Sequence, residues 1–204
     1  MIDIYHFANP LSDNCLVAEE CLEKLTHTFF QKTRLRFIPL INEQVSAKLI
    51  QGEQALPIMD MPYDKESLTY RVILDFKAAQ IEGNKKARPF LLSLQSALIT
   101  KKQPYSLSLI TSIATQVGLN LDDFLTNRMS QEVIDALKAD QKLAWQLLNK
   151  YSVAIVIDDS STLETSLLTN FSKESLTTHF KNLRQQFVVK TKDLISPENA
   201  KTFA

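Results

Sequence analysis

The sequence predicts an α/β fold whose single sheet comes from two stretches of chain, with an all-helical block inserted between them. Three observations carry this reading. A strand–helix–strand pattern runs from Ile2 to Ile41, helical periodicity dominates from Asp64 to Lys150, and two strands and a helix follow from Tyr151 to Phe187. A strand–helix–strand unit places its two strands parallel in one sheet. At 204 residues the chain suits one domain, or one domain carrying an insertion.

Each element has a local cause. Ile2–Phe7, IDIYHF, is rich in β-branched and aromatic residues and reads as a strand that Asn9-Pro10 breaks. From Asp13 to Gln31 the spacing turns helical, with Ser12 or Asp13 as N-cap and Val17, Cys21, Leu22, Leu25 and Phe29 as the apolar face; Leu16 falls outside it. Leu35–Ile41 is the second strand, and Asn42–Tyr63 a helical turn with an irregular connection.

In the inserted block, Asp64–Ile81 is a helix stopped by Gly83-Asn84. Lys85–Thr100 is a helix with Pro89 in its first turn, and Ser106–Val117 is closed by Gly118. Asp122–Arg128 is a short helix. Ser130 caps a long one to Lys150, with Val133, Leu137, Leu143, Leu147 and Leu148 facing the core and Trp145 within it. Tyr151–Ile157 and Leu163–Leu168 form a hairpin around Asp158–Ser161, Ser172–Phe187 is the last helix, and Val188–Ala204 is a polar tail. The expected division is residues 1–64 with 151–188 as one domain, 65–150 as the insertion and 189–204 as the tail.

Composition narrows the function classes. Lys+Arg and Asp+Glu both number 23, so the net charge is zero, which argues against nucleic acid as the main partner. No apolar run approaches ~20 residues, so no membrane span is expected. Asp3 follows the start at once and no basic segment precedes an apolar one, so no signal peptide is read and a cytoplasmic location is expected. Three glycines leave no room for a phosphate loop or dinucleotide fingerprint, and the two cysteines and three histidines lack zinc-site spacing. No cofactor is expected.

Four segments carry a resemblance: FANPLSDNC (Phe7–Cys15), RFIPLIN (Arg36–Asn42), GNKKARPFLLSLQSALI (Gly83–Ile99) and VGLNLDDF (Val117–Phe124). With the element order, they resemble the DsbA-like branch of thioredoxin-fold proteins over residues 1–188. Within it they are similar to the cytosolic Gram-positive proteins that include the SpxH (YjbH) adaptors, which deliver the regulator Spx to the ClpXP protease. The resemblance implies a thioredoxin-like sheet and a site at the turn into the first helix. Ser12 and Cys15 then hold the two redox positions, Pro10, Asp13 and Asn14 flank them, and Ser152 and Val153 stand at the cis-proline position. Two departures follow. The first cysteine of the redox motif is Ser12, giving S-D-N-C, and no proline occurs between Pro104 and Pro197.

Thiol–disulfide exchange needs an attacking thiolate and a second thiol to resolve the mixed disulfide. A serine hydroxyl supplies neither. Cys21 cannot replace the missing partner: six residues along one helix from Cys15 is a rise of ~9 Å, and the side chains leave on different faces. Both cysteines should be free thiols, with Cys21 a buried apolar residue. His6, beside the turn, is expected to be packed or hydrogen-bonded, and Lys85, Lys86 and Arg88, like Lys101 and Lys102, read as solvated helix faces.

The expected function is therefore a non-catalytic protein-binding or adaptor role on a decayed redox scaffold. Its protein partner would be a transcription regulator or a protease component. Two alternatives are a thiol–disulfide oxidoreductase or isomerase working through Cys15, and a glutathione-using enzyme resembling the kappa-class transferases, whose serine position Pro10-Leu11-Ser12 imitates.

Overall fold

The computed structural model describes residues 2–29, 33–41, 46–47, 49, 51, 65–148, 153–159, 164–169 and 171–194. Among the described residues four strands, β1 (Ile2–Ala8), β2 (Thr33–Pro39), β3 (Ala154–Asp159) and β4 (Glu164–Leu168), form one sheet in the order β2-β1-β3-β4. β1 pairs parallel with β2, while β1–β3 and β3–β4 are antiparallel. α1 (Asp13–Phe29) makes the crossover between β1 and β2, and α7 (Lys173–Leu194) follows β4. The expected α/β architecture of a βαβ half, a helical block and a ββα half is what the chain builds. The expected connection at Asn42–Tyr63 lies largely outside the described residues.

The period-2 alternation of the strands sorts the core. Ile2, Ile4, Ile155 and Ile157 face Ala18, Cys21, Leu22 and Leu25 of α1 and Leu176 and Phe180 of α7. On the opposite face Phe7, Ile38, Ala154 and Val156 meet Ala144 and Leu148 of α6 (Gln131–Leu148). The register matches Ile4 with Ile157 and Phe7 with Ala154, so a one-residue slip would turn every one of these side chains to the wrong face.

Between β2 and β3 lie α2 (Lys65–Ile81), α3 (Asn84–Gln95), a π-helical turn (Ser96–Thr100), α4 (Leu107–Gln116), α5 (Leu121–Asn127) and α6. Gly83, at φ 99°, makes the α2–α3 corner, a conformation that a side chain would strain. Caps fix the starts: Ser106 Oγ accepts from Leu109 N–H, Asn120 Oδ1 from Asp122 and Asp123 N–H, and Ser130 Oγ from Val133 N–H. A buried polar triad stitches the block together. Tyr105 Oη donates to Asp75 at 2.7 Å, and Arg128 donates to both Asp75 and the Tyr105 oxygen. Burial pushes the Asp75 carboxyl above its ordinary range, a cost that Arg128 and Tyr105 only partly offset.

Several expectations need correction. Val17 is 50% exposed and Leu16 is buried, because the buried side of α1 runs through Cys15, Leu16, Ala18, Glu19, Cys21, Leu22, Leu25 and Thr26. Trp145 is 47% exposed, and Leu147 is exposed as well. The buried stripe of α6 is Val133, Leu137, Gln141, Ala144 and Leu148, and a polar residue on it displaces the stripe that apolar letters alone suggest. Pro89 lies inside α3 rather than in its first turn, since the helix begins at Asn84. The last helical turn before Thr100 widens to π, and α7 continues to Leu194 past the expected end at Phe187.

Candidate functional site

The segment Asn9–Cys15 joins β1 to α1 at the end of the sheet where the inserted block meets it. Asn9 Oδ1 accepts from Leu11 N–H at 2.9 Å, and Asn9 carbonyl accepts from Ser12 N–H at 3.1 Å, so the asparagine templates the turn. Pro10 is buried, and its carbonyl accepts from Gln95 Nε2 of α3 at 3.0 Å. Ser12 stands at the N-cap position, its carbonyl accepting from Leu16 N–H at 3.1 Å. Its hydroxyl makes no hydrogen bond among the described residues. Asp13 and Asn14 are exposed, as the opening of a solvent-facing helix requires.

Cys15 is fully buried, one turn behind Ser12, in the cluster that joins Ala8 and Phe37 of the sheet to the inserted helices. Leu11 and Val153 are partly buried and pack on that same cluster. Ser152, and with it the Ser152–Val153 peptide, lies outside the described residues. Cys21 belongs to the other cluster, between α1, α7 and the sheet, and both thiols are free. Burial pushes the Cys21 thiol up, only partly offset by the Thr177 hydroxyl and nearby lysines.

Beneath the turn lies an arrangement that sequence reasoning missed. His6 Nδ1 is 2.8 Å from Glu19 Oε2, and Arg88 Nη2 donates to Glu19 Oε1 at 2.9 Å. His6 and Glu19 are buried, and Arg88 is 18% exposed. Phe37 and Phe171 wall the imidazole edge-on. Burial opposes a charge on His6, but the adjacent Cys15 side chain and the Glu19 carboxylate outweigh it and hold the ring above its ordinary pKa. Burial likewise opposes the Glu19 charge, but His6 and Arg88 prevail and hold it below the usual carboxylate range. Arg88 is therefore not the solvated surface cation its neighbours Lys85 and Lys86 suggested. The signal available in the sequence was Glu19 on the buried stripe, four residues after Cys15, demanding a cation.

A second glutamine completes the attachment of the inserted block. Gln141 of α6 is buried, donates to Pro39 carbonyl at 2.8 Å and accepts from Ile41 N–H at 3.4 Å. Gln95, Arg88 and Gln141 thus reach from three places in the block to the turn after β1, to α1 and to the end of β2. Together they form a polar latch between the inserted block and the sheet-bearing part. Among the described residues no group of three or more His, Cys, Asp or Glu is placed to hold a metal ion, and no helix is long and apolar enough to cross a membrane.

A parallel β1–β2 pair, an antiparallel β3–β4 hairpin, helices on both faces and a turn into a helix bearing Cys15 define a thioredoxin-fold protein with a DsbA-like helical insertion. The thioredoxin family pattern matches residues 5–179, and the chain belongs to that family. The ClpXP adapter protein SpxH of Bacillus subtilis (strain 168) is 27% identical over 163 residues, covering 72% of this chain and 54% of the relative. SpxH of Staphylococcus aureus (strain MRSA252) is 27% identical over 146 residues, covering 72% and 50%. The chain spans about half the length of these curated relatives. The crystal structure of the oxidoreductase DsbA from Xylella fastidiosa superposes with a TM-score of 0.60 at 14% identity, covering 92% of this chain and 87% of that one. At that identity the likeness concerns the fold alone.

Proposed function

We propose that this chain is a non-catalytic member of the family that recognises a protein partner, in the manner of an adaptor. One observation carries the reading: the position where a redox relative needs an exposed thiolate holds Ser12, and the remaining thiol, Cys15, is fully buried. A hydroxyl cannot enter a disulfide, and a cysteine sealed by the inserted helices meets no protein substrate. What the turn retains is shape. The exposed Asp13 and Asn14 open α1 beside the buried Pro10 that Gln95 holds, and on this reading they form the binding surface together with Ser152 and Val153.

The relatives named as ClpXP adapter proteins support a protein partner such as a protease component, and a transcription regulator is the other partner this reading proposes. The reading divides the chain into a thioredoxin-like part, residues 1–64 and 151–188, and an inserted part, 65–150, with 189–204 as a tail, and it places the protein in the cytoplasm. The test is affinity capture from lysate of the source cell using the wild-type chain and a Cys15→Ala variant, each with and without dithiothreitol. The same partner should be retained in all four arms. Capture that disappears with reductant or with Cys15 would replace an adaptor with a thiol enzyme.

A further inference from the structure

The inserted block carries a second concavity to which no residue from Pro10 to Cys15 contributes. α3, the π-helical turn and α4 line an open cleft of about 440 Å³, within the range of ~300–1,000 Å³ typical of small-molecule sites. Its floor is apolar, with Ala97 and Ile113 both buried. Its walls carry Ser93, Ser96, Lys101, Gln103, Ser112 and Gln116. None of these six side chains makes a hydrogen bond or ion pair among the described residues. Among the described residues one ammonium, five neutral polar groups and no carboxylate line the cleft.

The backbone around it departs from regular helix. Lys101 N–H bonds Ser96 carbonyl at 3.0 Å and Gln103 N–H bonds Ala97 carbonyl at 2.9 Å, so the end of the helix is over-wide. Lys102 then takes φ 52°, a left-handed conformation that non-glycine residues rarely adopt. Together these turn the chain so that Lys101 and Gln103 line the cleft opposite α4. π turns inside helices are frequent at functional sites, and the left-handed Lys102 after the C-cap ends the helix and turns the chain.

We propose that this cleft binds a small free carboxylic acid bearing a compact apolar group. The carboxylate pairs with the Lys101 ammonium and accepts from the serine hydroxyls and carboxamides, while the apolar group lies on Ala97 and Ile113. A carboxylate is preferred over a cation because the lining holds no negative side chain.

The test is an amide NMR titration of the full chain with N-acetyl-leucine, with N-acetyl-leucine amide as the uncharged control and acetyl-Ala-Ala-Leu as a peptide end. The acid should give saturable shifts confined to residues 92–103 and 109–116, with a Kd in the millimolar range expected of so small a ligand. The amide, and the acid with Lys101→Gln, should bind about fivefold more weakly, the upper end of what an exposed ion pair supplies. No saturable shift, or equal binding by acid and amide, overturns the proposal. So does binding of acetyl-Ala-Ala-Leu about tenfold tighter than the small acid, which would assign the cleft to a protein terminus.

Discussion

Replacing Glu19 with glutamine removes one charge from the group under α1 while keeping its shape. Taking one partner from a buried ion pair costs ~3–5 kcal/mol, because the remaining charge is stranded. Here the cost should fall at about 3 kcal/mol, since Arg88 retains some contact with water and glutamine still accepts hydrogen bonds. For a chain of this size that lowers Tm by ~6–12 °C. The pH dependence should change as well. The raised pKa of His6 contributes stability that is fully present below the ordinary value of about 6.5 and is lost as pH rises through the higher folded value. The lowered pKa of Glu19 contributes stability that is present above about 4.3 and is lost as pH falls through its folded value. Wild-type stability should therefore decline on both sides of a plateau at mildly acidic pH, and Glu19→Gln should flatten both slopes. Thermal unfolding across that range, with imidazole NMR of His6, reads both effects. A Tm change under about 2 °C with an unshifted His6 titration would refute the charged-group argument.

Three further outcomes are expected. Gln141→Leu leaves Pro39 carbonyl and Ile41 N–H without their buried partner and should cost ~1–3 kcal/mol in urea unfolding; an unchanged midpoint would show that the latch is not needed. Thiol labelling of the native protein should be slow at both Cys15 and Cys21, which lie in separate buried clusters, and fast after denaturation; rapid native labelling of Cys15 would show that the site is open. Ser12→Cys should confer at most weak insulin-reducing activity, raised further by adding Val153→Pro, and vigorous activity from the single change would show that nothing beyond the first cysteine has been lost.

The fold was legible because each half of the sheet is written in strict local patterns. IDIYHF and AIVI are apolar, β-branched runs that read as strands, and Gly83, Gly118 and Ser130 mark helix ends by their own chemistry, while the register that sets Ile4 opposite Ile157 is a finding of the structure. The turn was legible for the same reason, since Asn9, Pro10 and Ser12 act within a few residues of one another. The contacts that hold the turn against the inserted block were not. Gln95 meets Pro10 across 85 residues, Arg88 meets Glu19 across 69, and Gln141 meets Pro39 across 102. A single sequence carries no local trace of such pairs except a polar residue out of place on an apolar stripe. Glu19 and Gln141 were that trace. Reading only apolar letters put Val17 and Trp145 inside and left Glu19 unexamined.

The proposed adaptor role requires that the redox site be inert. Insulin reduction by the wild-type protein, followed by turbidity with dithiothreitol as electron donor and a dithiol thioredoxin-fold oxidoreductase run beside it, tests that claim most directly. With serine at the first position and Cys15 fully buried, the rate should equal that of dithiothreitol alone. Sustained turnover above that background, lost on Cys15→Ala, would contradict the account.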